Sequence, residues 1–419
     1  MSASVPPDAQ HATPVNLSHA EIRTIIIGIV LAMFLAALDQ TIIATALPTI
    51  GRELGGLQHL PWVVTAYLLA ATAVTPLYGK LSDIHGRRIM LLVGISTFVV
   101  GSVLCALAPT MLALVAARAL QGLGGGGLIA LAQTIIADVV APRERARYQV
   151  YIASAFVSAS LLGPVLGGLF ADHLHWSFIF WINVPLGFAA FLMTNSALKR
   201  LPRHDRPHKL DLLGAGLLVA ATVSLLLALS WGGVRYPWVS SPILLLVVVS
   251  CAFWWAFARR LRTGAEPFIP PDILRNPVVR FGTLSACFGM GTYIGLTIYT
   301  PIYFESVVGL SASASGLALI PFMFGTVAGA TLSGRAMTKV THYKRLPLAG
   351  LTMAIAAMSV LVLIPRGLPF LVLEALLAVV ALGLGTLLPV TTVCIQNAVA
   401  SHQLGTATQP HFAKRAQAQ

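Results

Sequence analysis

The stretch Gly79-Lys80-Leu81-Ser82-Asp83-Ile84-His85-Gly86-Arg87-Arg88 separates two apolar runs, near 61–78 and 89–107, and decides how the rest of the chain is read. Its glycines permit a tight turn. Asp83 supplies an acceptor, and Arg87 and Arg88 can clamp carboxylates or the carbonyl ends of helices. Runs of about 20 apolar residues joined by a short polar turn are the pattern of helices that cross a membrane and turn back. The pattern continues in both directions. Twelve apolar runs lie near 23–47, 61–78, 89–107, 110–139, 148–170, 178–197, 212–232, 241–258, 281–304, 314–335, 346–364 and 369–398. Pro and Gly scattered through them are tolerated in membrane helices. The expected class is an all-α polytopic membrane protein with about twelve spans.

Composition agrees with this reading. Of 419 residues, 57% are hydrophobic and 10% charged, where a soluble domain carries about 25% charged residues. Residues 1–21 are polar and proline-bearing, and the first apolar run is too long for a signal-peptide core, so no cleavable leader is expected. Cys105, Cys251, Cys287 and Cys394 lie in or at the ends of apolar runs, which predicts packing as small hydrophobes rather than disulfides.

The charges orient the chain. Lys80, Arg87 and Arg88 follow the second run, and Arg143, Arg145 and Arg147 follow the fourth. Lys199, Arg200, Arg203, Arg206 and Lys209 follow the sixth, and Arg259, Arg260, Arg262, Arg275 and Arg280 follow the eighth. Arg335, Lys339, Lys344 and Arg345 flank the end of the tenth, while the alternate loops carry only Arg52, Arg235 and Arg366. The positive-inside rule then places both termini and the even-to-odd loops in the cytoplasm. A net charge of +13 spread this way suits anionic lipid headgroups rather than nucleic acid, because no basic patch is interleaved with aromatics.

Three charged residues lie inside the apolar runs and away from their ends. Asp39, in Leu38-Asp39-Gln40-Thr41-Ile42-Ile43, has an apolar-rich stretch on its outer side. A mid-membrane Asp costs about 2.5 to 3.5 kcal/mol to insert, so it is expected to serve a function. Arg118 lies about 12 Å below the outer surface on the inward-running fourth run, close to the depth of Asp39. The two can share one polar cavity. Burial penalises the charged carboxylate and a nearby cation favours it, so changing access would let Asp39 take and release protons. Glu374, near the start of the last run, is a candidate second acid.

The loop from Gly79 to Arg88 resembles the G-x-L-x-D-x-x-G-R-[RK] signature of the major facilitator superfamily, through Gly79, Asp83, Gly86, Arg87 and Arg88. Leu38-Asp39-Gln40-Thr41 leading to Ala46-Leu47-Pro48 is similar to the first-helix signature of the fourteen-helix drug:proton antiporters of the EmrB/QacA type, with Ala44 where Asn is common. Arg118-Ala119-Leu120-Gln121-Gly122 resembles the R-x-x-Q-G motif, and Gly163-Pro164-Val165-Leu166-Gly167-Gly168 resembles the G-P-x-x-G-G antiporter motif. A glycine motif alone would only indicate close helix packing. Four motifs in the same order are a specific match.

The resemblance implies residues 23–198 as a six-helix N-terminal bundle, behind a cytoplasmic tail 1–22. A linker at 199–211, two inserted central helices at 212–258 and a cytoplasmic loop at 259–280 would follow. Residues 281–398 would form a second bundle and 399–419 a polar tail. Gly334-Arg335 echoes Gly79-Lys80, and Lys344 and Arg345 echo Arg87 and Arg88, without an acid matching Asp83. A complete second bundle would need six helices, and the residues supply four. The family pattern implies that the Asp83 loop locks against the first helix beyond them.

The function implied is proton-coupled efflux of small hydrophobic or cationic compounds through the inner membrane, driven by the proton gradient with no bound cofactor. Asp39 would carry the proton and Arg118 would tune it. The Asp83 loop would gate the conformational change, and Tyr67, Tyr293 and Tyr299 would line the substrate cavity near the midplane. Two alternatives stand beside this: a truncated, non-transporting product, or an exporter of an endogenous metabolite or siderophore. A periplasmic adaptor and self-association are left open as partners. The sequence carries no nucleotide-binding P-loop and no metal or hydrolase constellation, which argues against an enzyme.

Overall fold

The computed structural model describes residues 19–56, 59–140, 145–200, 211–263, 275–310, 314, 317–337, 340, 344–364 and 368–398. Residues 1–18 and 399–419 of the expected tails, 201–210 of the expected linker and 264–274 of the expected loop lie outside them, while residues 19–22 of the expected N-terminal tail belong to the first helix. Fourteen α-helical segments carry the described chain. They are α1 (His19–Leu54), α2 (Leu60–His85), α3 (Arg87–Ala106), α4 (Met111–Val139), α5 (Arg145–His173), α6 (Phe178–Trp181) and α7 (Asn183–Ala197). After them come α8 (Leu212–Trp231), α9 (Ser241–Thr263), α10 (Pro277–Tyr303), α11 (Ile320–Met337), α12 (Arg345–Leu363), α13 (Phe370–Gly385) and α14 (Leu387–Asn397). Among the described residues nine helical stretches are long and apolar enough to cross a membrane, with α6 and α7 counted as one and α13 and α14 as another. With α5, α10 and α11 they make about twelve spans.

Two expected spans are each broken in two, and proline explains both breaks. Pro185 has no N–H to give the Trp181 carbonyl, and the helix divides after Trp181 into α6 and α7. Pro389 likewise leaves the Gly385 carbonyl without its helical donor, and the last run divides there into α13 and α14. Thr386 at this second break turns its hydroxyl back onto the Gly383 carbonyl at 2.7 Å.

Helices α1 to α7 form one bundle, in which α2 and α3 pack on α4, and α1 packs on α5, α7 and α4. Its core is a continuous cluster that includes Ile29, Met33, Phe98, Leu131 and Ile135. Helices α10 to α14 form a second, smaller bundle in which α11 and α12 pack on α13. The bundles meet where α5 lies against α11 and α14. The Gln396 amide of α14 also donates to the Gln133 carbonyl of α4 at 3.3 Å.

The pair α8 and α9 leans on α2. Asp211 fastens it. Its carboxylate caps α8 by accepting from the Gly214 N–H at 3.0 Å and meets Arg260 Nε of α9 at 3.1 Å. Burial works to raise the Asp211 carboxyl, but the Arg260 and Gly214 hydrogen bonds and the Arg260 charge together hold it below its ordinary value. A depressed acid stabilises the fold above its unfolded value, about 3.9, and the contribution is lost as pH falls through the folded value. The stability advantage of wild type over Asp211→Asn is therefore expected to be constant above about pH 5 and to fade in more acidic buffer. Thermal unfolding of the purified protein across that range measures it, and an advantage that grows on acidification would contradict the assignment.

Candidate functional site

Asp39 and Arg118 touch. Arg118 Nη1 lies 2.6 Å from Asp39 Oδ2, and both side chains are 1% exposed. The two charges expected at matched depth are brought together, and in this conformation the pair is sealed rather than set in an open polar cavity. The cause is geometric. Asp39 sits on the face of α1 turned to α4 and α7, and Arg118 extends across from α4 among Tyr67 and Phe180.

The remaining hydrogen bonds are shared among neighbouring helices. Arg118 Nε donates to the Val63 carbonyl of α2 at 2.9 Å, and Nη1 also donates to Gln121 Oε1 at 2.6 Å. Gln121 Nε2 donates to Asp39 Oδ1 at 2.7 Å and to the Ser102 hydroxyl of α3 at 2.7 Å. Asn183, the first residue of α7, donates to Asp39 Oδ1 at 3.1 Å and to Ser102 at 3.3 Å. The Cys105 thiol lies 3.5 Å from Gln121 Oε1. Tyr67 covers the guanidinium, with its ring centroid 4.3 Å from the Arg118 carbon, a favourable place for a desolvated cation.

Arg118 and Gln121 were readable from the fourth-run motif. Asn183 and Ser102 were not singled out by sequence reasoning, and Cys105 was expected only as a packing residue. The one available signal for Asn183 was Pro185, two residues on, which breaks the helix and turns Asn183 inward. Gly101 was also missed. A Cβ there would lie 2.5 Å from the Gln121 Cα, so glycine is what lets α3 approach the backbone of α4 beside Gln121. Gly122, from the same motif as Arg118, is buried against the backbone of Tyr67.

Chemically, the network is one neutral unit built from five helices. Protonating Asp39 would leave Arg118 without its counter-ion in a dry interior, which is costly.

The loop of the first motif forms a second charged cluster. Gly86 joins α2 to α3 with φ +89 and ψ 147, a backbone state open to glycine and strained for other residues. Arg87 pairs with Asp83 one turn back and donates from Nε to Asp138 of α4 at 2.8 Å. It also donates to Ser82, whose hydroxyl returns to the Gly79 carbonyl at 2.8 Å. Arg88 turns away to Asn195 of α7 at 2.6 Å. Asp138 was not foreseen, although an acid at the end of α4 among basic loops was the available signal.

The antiporter motif faces α1 next to Asp39. Thr41 donates to the Ala159 carbonyl of α5 at 2.8 Å. Gly163 sits against Thr41, and Gly167 against the Ile42 carbonyl and Thr45, while Gly168 faces open space. The side chain of Pro164 lies outside the described residues.

The three tyrosines are not brought together. Tyr67 is in the first bundle's core, and Tyr293 stacks on Phe322 with centroids 5.5 Å apart. Tyr299 is 70% exposed. Six residues along a helix is about 240° of rotation, which puts Tyr293 and Tyr299 on different faces of α10. Glu374 is half-buried in α13 and has no ion pair among the described residues. All four cysteines are free; Cys105 is buried, while Cys251 and Cys287 are exposed.

A family model of the Major Facilitator Superfamily matches residues 29–212 and 212–409. An uncharacterized MFS-type transporter of Mycobacterium tuberculosis is 35% identical over 402 residues, which are 96% of this chain and 58% of that protein. The multidrug transporter protein MdtP of Bacillus subtilis is 33% identical over 387 residues, 92% of this chain and 71% of that protein. This chain thus spans less than two thirds of the length of the mycobacterial relative. Among solved structures, the proton:xylose symporter XylE shares the fold with a TM-score of 0.62, at 16% identity over 93% of this chain and 86% of that one.

Proposed function

Because the chain belongs to the major facilitator superfamily, whose members are transporters rather than enzymes, we propose that it is a proton-coupled exporter of small hydrophobic compounds, of the drug:proton antiporter type. The observation that carries this reading is the sealed network of Asp39, Arg118, Gln121 and Asn183, which joins several helices through one acid. Likeness to a multidrug transporter of Bacillus subtilis supports the substrate class. The basic loops support a cytoplasmic-membrane setting with both termini inside. Asp39 would accept a proton arriving from outside, release α1 from Arg118, and return the proton inward as the bundles rock about the α5 contact. One proton crossing 100 mV supplies about 2.3 kcal/mol, and each pH unit about 1.4 kcal/mol.

The test is dye-driven collapse of the pH gradient in everted membrane vesicles, with wild type and Asp39→Asn at matched expression. The gradient is expected to fall on dye addition with wild type and to persist with Asp39→Asn. Equal coupling in both would remove Asp39 as the proton site.

A further inference from the structure

The transport reading leaves one large cavity unused. It lies between α1 and α5, toward the end that the positive-inside rule places in the cytoplasm, and has a volume of about 860 Å³. That is ample for a drug-sized molecule. Its polar lining comes from Arg23 of α1 and from Tyr148, Tyr151, Ser154 and Ser158 along α5. Ile27, Val30, Leu31 and Phe34 line the length of α1 beyond them. Arg23 is solvent-exposed and makes no ion pair among the described residues. The Tyr148 and Tyr151 rings stand side by side, with centroids 5.9 Å apart.

Charge decides what such a cavity accepts. Among the described residues that line it, Arg23 is the charged one, and no acid is present. Asp39 does not offset it, because that carboxylate is sealed against Arg118. An organic cation would enter against a like charge, whereas an anion would gain a charge-assisted hydrogen bond. From Arg23 to Phe34 is eleven residues of α1, about 16 Å, enough for an elongated apolar body. Phe34 then packs against Ala37, Leu38 and Ala159. The Phe34 end of the cavity therefore adjoins the stretch of α1 that carries Asp39.

We propose that this cavity binds amphipathic organic anions, with the negative head group at Arg23 and the tyrosine hydroxyls and the apolar body along α1 toward Phe34. This names a substrate class for the transport reading and rests on it only for the purpose of binding. The chemistry is shared by a soluble lipophilic acid and by an anionic lipid of the inner leaflet.

Binding is measured at equilibrium with no gradient, so its failure is separate from failure of proton coupling. The full chain in phosphatidylcholine nanodiscs is titrated with two dansyl probes of equal chain length, one ending in carboxylate and one in trimethylammonium. The carboxylate probe is expected to bind about tenfold tighter than its partner, the scale of one hydrogen bond to a charged group. Arg23→Gln is expected to erase that preference by weakening the carboxylate probe, while the cationic probe binds at least as tightly as to wild type, which also reports intact folding. Arg23→Lys is expected to keep it. Equal affinity for both probes in wild type, or an undiminished preference in Arg23→Gln, would overturn the proposal. Repeating the titration with phosphatidylglycerol in the disc separates the two sources. Displacement of the carboxylate probe assigns the site to lipid, and retention assigns it to a soluble amphiphile.

Discussion

Arg118→Met is expected to destabilise the protein by about 3–5 kcal/mol, because it strands the Asp39 carboxylate in a dry interior. Three features set the size of this effect. Arg118 is fully buried, it is the ionic partner of Asp39, and it also holds the Val63 carbonyl and Gln121. Arg118→Lys keeps the charge but cannot make these bonds in parallel from one planar group, so it is expected to fall between. The decisive comparison is the double variant. Asp39→Asn with Arg118→Met removes both charges, and a buried pair replaced by neutral groups is often neutral or even stabilising. The double variant is therefore expected to be more stable than Arg118→Met alone, despite carrying one more substitution. Thermal unfolding of the four proteins in detergent completes the cycle. Additive losses would mean that the pair does not interact in the folded membrane protein.

The parts of this site differ in how openly the sequence displays them. Asp39 and Arg118 stand out because charge is rare in apolar runs, and their depths follow from counting residues along helices of known rise. Asp83 and Arg87 are one turn apart, so their pairing is local and readable. Asn183 and Ser102 are ordinary small polar residues in apolar helices, and nothing in their neighbourhood says that they face a carboxylate. Their role depends on which face of α3 and α7 meets α4, and this is fixed by packing across the bundle. Gly101 is silent for the same reason. Tyr67 was expected in a substrate cavity because an aromatic near the midplane suits both a cavity and a core. Burial over Arg118 decides between them. The twelve runs were legible from hydrophobicity, but the two internal breaks needed the missing donors of Pro185 and Pro389 to be followed four residues back.

Gly167→Ala is expected to abolish efflux and cost about 1–3 kcal/mol, the usual price of overpacking a tight contact, whereas Gly168→Ala is expected to be silent. The two glycines are neighbours in one motif, so sequence resemblance gives them equal weight. Their surroundings differ. A methyl group at Gly167 meets the Ile42 carbonyl and the Thr45 hydroxyl of α1, and a backbone carbonyl in a helix cannot swing aside. Relief requires α1 and α5 to separate. That would pull Thr41 from the Ala159 carbonyl and shift α1 within one turn of Asp39. At Gly168 nothing lies within 4 Å of the added Cβ, and alanine there gains the helix propensity that glycine lacks. Efflux and thermal unfolding measured on both variants at matched expression test the contrast. If Gly168→Ala is as harmful as Gly167→Ala, the motif acts through something other than its contact with α1, and no route runs from that contact to Asp39. If only Gly167→Ala fails while Asp39 and Arg118 are intact, the acid works through the helix seam that positions it.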